Sequence, residues 1–179
     1  MTLKHNLVGL AALATAAIVA SPAAATLPTP PQSAATSQAQ PFLFYAGAGD
    51  VFEITSSMIL LNKSQNPQVR AYASMLIDHH TRTTNLALAN ARTAGVMPPP
   101  PEMSAMQKGM IGQLHAAAPA AIDRLYLQQQ VPAHQQALTL QTGYARSGDT
   151  PALRQTAQGA VPIIQSHLTQ AQQLLRSVR

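Results

Sequence analysis

Residues 66–95, NPQVRAYASMLIDHHTRTTNLALANARTAG, show most clearly which fold class the chain adopts. Asn66-Pro67 is typical of a helix start, because an asparagine side chain caps the first turn and proline fits its first position. Gly95 and the prolines at 98–101 predict the end of the helix. Mostly small or apolar side chains recur at helical spacing between these limits, and one histidine stands among them: Val69, Tyr72, Ala73, Leu76, His80, Thr83, Ala87 and Ala91. The segment therefore predicts a long helix with one buried face.

The rest of the chain repeats this pattern. Helical spacing predicts long helices over about 45–63, 120–146 and 151 to the end, and a shorter helix over about 102–117. Pro119 separates the short helix from the next long one, and the segment 147–151, SGDTP, both ends a helix and begins another. No strand-like alternation is present in the sequence. We expect an all-α fold, a four-helix bundle with one short crossover helix between the second and third long helices.

Four ionisable residues mark the candidate site. Glu53, His80, His134 and His167 each lie near the middle of a different long helix, on its apolar face. If residues 102–146 formed one helix antiparallel to the second, His134 would lie about 24 Å from the level of His80, at 1.5 Å per residue. If the short helix instead crosses back along the bundle, all four residues come to the same level within about one turn. The break at Pro119 favours the second arrangement.

Two interpretations of this set stay open. Imidazole and carboxylate groups suit Zn, Fe, Mn or Cu, so the four residues could hold one transition metal ion. They could equally form a buried polar network in which Glu53 pairs with core histidines. A di-iron centre is not expected, because Ile77 and Ile164 stand three residues before His80 and His167, where such centres have glutamates.

Neighbouring polar residues on the second helix have simpler interpretations. Asp78 and Arg82 are four residues apart and predict a surface ion pair. His79 falls at the edge of the apolar face, and we do not expect it to be a ligand.

The composition narrows the range of functions. The chain has 11 Lys and Arg against 6 Asp and Glu, but its arginines are scattered singly and aromatic residues make up only 4%. Nucleic-acid binding is therefore not expected. The chain has no cysteine, no nucleophile-elbow motif and no phosphate-binding glycine loop, which argues against a hydrolase. Enzymatic activity stays undecided, with a non-catalytic role favoured, and the sequence identifies no protein partner.

The N-terminal residues predict export. A short basic start, an apolar run over 7–20 and an Ala-x-Ala site at 23–25 are typical of a secretory signal peptide cleaved after Ala25. Residues 26–41 are rich in Pro, Ser, Thr and Ala and predict a disordered linker, so the helical domain is expected over 42–179. The absence of cysteine leaves no lipid-acceptor site, and no stable membrane anchor is expected. We expect a periplasmic or secreted bacterial protein.

Three segments together resemble a known family. YASMLIDHHT at 72–81, DRLY at 123–126 with VPAH at 131–134, and AVPIIQSHL at 160–168 are similar to segments of a bacterial exported family called domain of unknown function 4142. The likeness covers about 42–175. It implies a ferritin-like helical fold and an exported location, and it implies no activity.

Overall fold

The computed structural model describes residues 28–178, which form five α-helices and no β-strand. The helices are α1 (Ala39–Lys63), α2 (Pro67–Thr93), α3 (Ala105–Ala116), α4 (Pro119–Ser147) and α5 (Pro151–Ser177), and a short 3-10 helix at Gln32–Ala34 precedes them. The predicted all-α class is confirmed. The signal peptide predicted at 1–25 lies outside the described residues. Within the described part, no helix combines the length and hydropathy needed to cross a membrane.

Local sequence signals set the helix ends. Asn66 caps α2 by accepting hydrogen bonds from the backbone N–H groups of Gln68 and Val69, at 3.0 and 3.3 Å. Ser104 and Gln107 form a reciprocal capping box at the start of α3. Proline occupies the first position of α2, α4 and α5. Since α3 ends before Pro119, residues 102–146 do not form one continuous helix.

Buried polar contacts give the relative directions of α1 and α4. The Ser57 and Tyr126 hydroxyls are 2.7 Å apart, and the Glu53 Oε1 atom lies 3.6 Å from the His134 Nδ1 atom. The residue number therefore falls along α1 as it rises along α4, and the two helices are antiparallel. Helix α1 packs against α2 and α4, and α5 packs against the same two helices.

Helices α2 and α4 run in the same direction. The ring centroids of Tyr72 and Tyr126 are 6.4 Å apart, and those of His80 and His134 are 5.9 Å apart. Because an advance from 72 to 80 on α2 accompanies an advance from 126 to 134 on α4, the two helices are parallel.

The segment that joins α2 to α4 follows α1. The Gln107 side chain donates to the Ala48 carbonyl at 3.5 Å, in the first half of α1. At the other end, the Lys63 Nζ atom donates to the Leu114 and Ala117 carbonyls, each at 2.9 Å. Helix α3 therefore runs alongside α1 and delivers the chain to the start of α4, next to the start of α2.

Two apolar clusters fill the interior, and a polar layer separates them. One cluster comprises Ile59, Leu60, Val69, Tyr72, Ala73, Leu76, Leu114, Ile122, Tyr126, Leu127 and Ala171. The other comprises Ala39, Phe42, Leu43, Ala91, Tyr144, Leu153 and Ala157. On each long helix, the candidate site residue falls between members of the two clusters. The buried ionisable groups therefore form a layer across the middle of the molecule.

The start of the domain differs from the sequence prediction. Helix α1 begins at Ala39 rather than near residue 45, and Ala35 is buried at 2% exposure. The Tyr45 hydroxyl donates to the Pro30 carbonyl at 2.8 Å, and the Ser37 carbonyl accepts from the Asp149 backbone N–H at 2.9 Å. The linker predicted at 26–41 is thus packed against the domain from Pro30 onward. Small residues make this packing possible without the apolar periodicity that sequence patterns detect.

Substitutions at two glycines, Gly143 and Gly159, test this packing. A methyl group at Gly143 would lie 2.5 Å from the Thr36 Cγ2 atom, whereas one at Gly159 would meet nothing within 4 Å. We expect Gly159→Ala to raise the free energy of unfolding by about 0.5–1 kcal/mol, as in an open helix interior. Gly143→Ala should lack this gain, because Thr36 must move. Urea denaturation measures both variants, and equal stabilisation would show that residues near Thr36 are not packed on α4.

Candidate metal centre

Three of the predicted residues form one buried cluster. One ring nitrogen from each of His80, His134 and His167 lies within 4.8 Å of the other two. Their exposed fractions are only 8%, 1% and 2%. The ring centroids are 5.4–5.9 Å apart, and the rings meet edge-on or tilted rather than stacked. The three imidazoles therefore surround a common point between α2, α4 and α5.

Each of these imidazoles has one hydrogen-bonded nitrogen and one without a partner. The bonded nitrogens are His80 Nδ1, with Asp50 Oδ1 at 2.7 Å, His134 Nδ1, with the Gln130 carbonyl at 3.0 Å, and His167 Nε2, with His79 Nδ1 at 2.8 Å. Among the described residues, His80 Nε2, His134 Nε2 and His167 Nδ1 have no hydrogen-bond partner. Leaving a buried polar atom unpaired costs about 1–3 kcal/mol. Three such atoms belong to the imidazoles of this one cluster.

Asp50 belongs to the site, and the sequence analysis missed it. One carboxylate oxygen bonds His80 Nδ1, and the other accepts a short hydrogen bond from the Thr84 hydroxyl. A carboxylate behind the Nδ1–H group fixes the ring orientation and leaves the Nε2 lone pair free for a metal. The signal was present in the sequence, since Asp50 stands one helical turn before Glu53 and Thr84 one turn after His80.

Glu53 lies beside the cluster rather than within it. Its Oε1 atom is 3.6 Å from His134 Nδ1, on the side of the ring away from Nε2. The residue is 4% exposed, and its Oε2 atom has no partner among the described side chains. Burial raises the pKa of Glu53, and positive charge on His134 and His80 opposes that rise. The structure therefore brings all four predicted residues together, with Glu53 behind His134.

His79 also contributes, although the sequence analysis treated it as peripheral. Its ring stacks on His167 at a centroid distance of 5.0 Å. For His167 Nδ1 to offer a lone pair, Nε2 must carry the proton and donate it to His79 Nδ1. His79 can thus hold His167 in the required tautomer. Asp78 and Arg82 form the surface ion pair predicted from their spacing, at 3.0 Å.

The two ends of the cluster differ electrostatically. Burial would lower the pKa of His80, but the hydrogen bond and negative charge of Asp50, together with Glu53, outweigh it and the pKa is raised. Burial lowers the pKa of His167 to about 3, and positive charge on neighbouring histidines adds to this shift. The cluster therefore takes up a proton more readily on the Asp50 side, and His167 stays neutral.

We expect acid to destabilise the chelator-treated protein partly through His167. An unfolded His167 binds a proton near pH 6.5, whereas the folded residue stays neutral down to about pH 3. The unfolded state therefore binds more protons below pH 6.5, and stability falls as the pH falls. When the pH falls from 6.5 to 4.5, the free energy of unfolding should fall by roughly 2–3 kcal/mol less in a His167→Gln variant than in the wild type.

Urea titrations across this pH range measure the difference. His80 acts in the opposite direction, because its raised pKa stabilises the fold at low pH and that contribution is lost as the pH rises through it. Both proteins keep His80, so its own contribution is present in both pH profiles. Parallel pH profiles for the two proteins would contradict the assignment of a neutral, buried His167.

Comparison with known proteins gives the family. No curated protein and no solved structure matches the chain. The family model described as "Domain of unknown function (DUF4142)" matches residues 24–174, which is most of the chain and includes every residue of the site. The resemblance seen in the three sequence segments is confirmed, and the chain belongs to the DUF4142 family.

Proposed function

We propose that this protein binds one transition metal ion through His80, His134 and His167. Two observations carry the proposal: one ring nitrogen from each of the three buried imidazoles lies within 4.8 Å of the other two, and each imidazole has one unpartnered nitrogen. Three neutral imidazoles are an established ligand set for Zn²⁺ that leaves a fourth position for water or another small ligand. Fe, Mn and Cu are also compatible with this nitrogen donor set.

The spacing is close to what an ion needs. A point at the centre of a triangle with 4.8 Å edges lies about 2.8 Å from each corner, whereas Zn–N bonds are about 2.0–2.1 Å long. Each imidazole would therefore move inward by up to roughly 0.7 Å. Rotation about the side-chain torsions can supply this movement without a shift of the helices.

Charge balance also supports a divalent ion. Asp50 and Glu53 are the two acids beside the cluster, and their ionised forms would offset two positive charges. Without an ion, burial raises the pKa of Glu53, and Asp50 raises the pKa of His80. In the metal-free protein, protons on Glu53 and His80 therefore supply the positive charge that a metal ion would supply. Metal binding should therefore release protons and weaken at low pH.

We further propose that the four long helices form a ferritin-like bundle in which α3 is the crossover. The parallel directions of α2 and α4 and the course of α3 beside α1 support this arrangement. We also propose that residues 1–25 direct export to the periplasm or cell exterior. The basic start, apolar run and Ala-x-Ala site support the second proposal.

A structural role is the alternative. The Gln130 side chain donates to the Ser56 hydroxyl at 3.1 Å, and the Ser57 and Tyr126 hydroxyls also join α1 to α4. Asp50 and His80 join α1 to α2 in the same layer. A buried network of this kind can fix the register of the helices without binding any ion. In that case chelators would leave the stability unchanged.

We expect untagged protein to bind about one Zn²⁺ per chain after equilibrium dialysis, measured by elemental analysis. His134→Gln and His167→Gln should each abolish stoichiometric binding, because each removes a ligand. Free Zn²⁺ at 100 times its Kd should stabilise the wild type by about 2.7 kcal/mol, and chelation should reverse this gain. If neither zinc nor chelator changes the melting temperature and elemental analysis finds no bound metal, the structural alternative is favoured.

The chain offers matched controls for this experiment. His115→Gln removes an exposed histidine on α3 and should leave zinc binding unchanged. Asp50→Asn should weaken binding by about 10- to 100-fold, as expected for the partner that orients a ligand. Asp78→Asn removes an exposed acid that pairs with Arg82 at the surface, so it should have no such effect. An equal loss of zinc affinity in the Asp50 and Asp78 variants would indicate a nonspecific charge effect.

A further inference from the structure

A groove between α2 and α5 reaches the candidate metal centre. A cavity of about 290 Å³ has His79 and His167 in its wall, together with Met75, Pro162, Ile163, Ser166 and Gln170. A second cavity of about 530 Å³ shares Met75 and Gln170 with the first and extends along both helices to Ser177. We call the two together the α2–α5 groove.

The groove wall includes one of the three histidines of the candidate metal centre. His167 is in its wall, whereas His80 and His134 belong to neither of the two cavities. His79 is in the wall as well and bonds His167 at 2.8 Å. An ion that arrives through the groove would therefore meet His79 and His167 before the two deeper imidazoles.

The size of the groove suits a hydrated ion. A water molecule takes about 30 Å³ of liquid, so the cavity at His167 has room for roughly ten water molecules. A divalent ion with six waters fits in that volume.

The charge of the groove suits a cation as well. The chain carries a formal net charge of +5, which opposes the approach of a cation. Among the described residues, neither cavity has Lys or Arg in its wall, so no cationic side chain of the wall repels an approaching cation.

We propose that the α2–α5 groove is the route by which a hydrated divalent ion reaches and leaves the three-histidine centre. This inference rests on the proposed metal-binding function and adds the path and the order of contact. The groove wall near Ser166 then controls the rates of uptake and release. It does not control the affinity, because Ser166 makes no hydrogen bond to the unpartnered imidazole nitrogens.

Single cysteines allow the groove to be blocked after folding. The chain has no cysteine, so Ser166→Cys introduces one thiol, which a bulky thiol-specific reagent then caps. Thr169→Cys, capped in the same way, is the matched control, because Thr169 is exposed on α5 and belongs to neither cavity. The probe is Zn²⁺, with uptake and chelator-driven release followed by stopped-flow and the Kd by competition.

We expect the capped Ser166→Cys protein to take up and release zinc at least about tenfold more slowly than the wild type. This corresponds to an activation barrier higher by roughly 1.4 kcal/mol. The Kd should be unchanged. Capped Thr169→Cys should match the wild type. Equal rates in the two capped proteins, or a changed Kd with unchanged release, would overturn the route while leaving the metal centre intact. Failure of the wild type to bind zinc would instead overturn the proposed function, and the route with it.

Discussion

The arrangement of the molecule depends on the burial of three imidazoles in the polar layer between its two apolar clusters. Each has a nitrogen with no partner among the described residues, and the apolar clusters above and below supply none. Burial of such groups is unfavourable unless something satisfies them. The parallel course of α2 and α4 places His80 and His134 at one level, so that these groups share one layer. The short helix α3 makes that arrangement possible by carrying the chain back along α1.

The three imidazoles are held by three different kinds of partner. A carboxylate holds His80, a backbone carbonyl of its own helix holds His134, and a second imidazole holds His167. The partners differ in charge, so the cluster is electrostatically asymmetric, with its negative side at Asp50 and its neutral side at His167. The neutral side is the one that the α2–α5 groove reaches. An entering cation would therefore move from a neutral surface towards the carboxylates.

Much of this could be predicted from the sequence, for identifiable physical reasons. Helical periodicity and proline breaks gave the five helices, and the equal distances of His80 and His134 from their helix starts predicted that they meet. Asp50 was missed because it lies off the strict apolar face, where an acid is normally solvated. The contact of His79 with His167 was not foreseen for a related reason, since a residue at the edge of the face finds such a partner only on a neighbouring helix. The packing of residues 30–41 was missed because small side chains fit closely without leaving a periodic pattern.

The central claim is that the three unpartnered nitrogens are ligands of one ion, and anomalous diffraction from zinc-soaked crystals of untagged protein tests it most directly. The account predicts a single strong peak per chain at the zinc edge, about 2.0–2.1 Å from one ring nitrogen of each of His80, His134 and His167. It also predicts that Asp50 keeps its hydrogen bond to His80 on the far side of the ring. A map with no peak between α2, α4 and α5, and with the cluster filled by water alone, would contradict it.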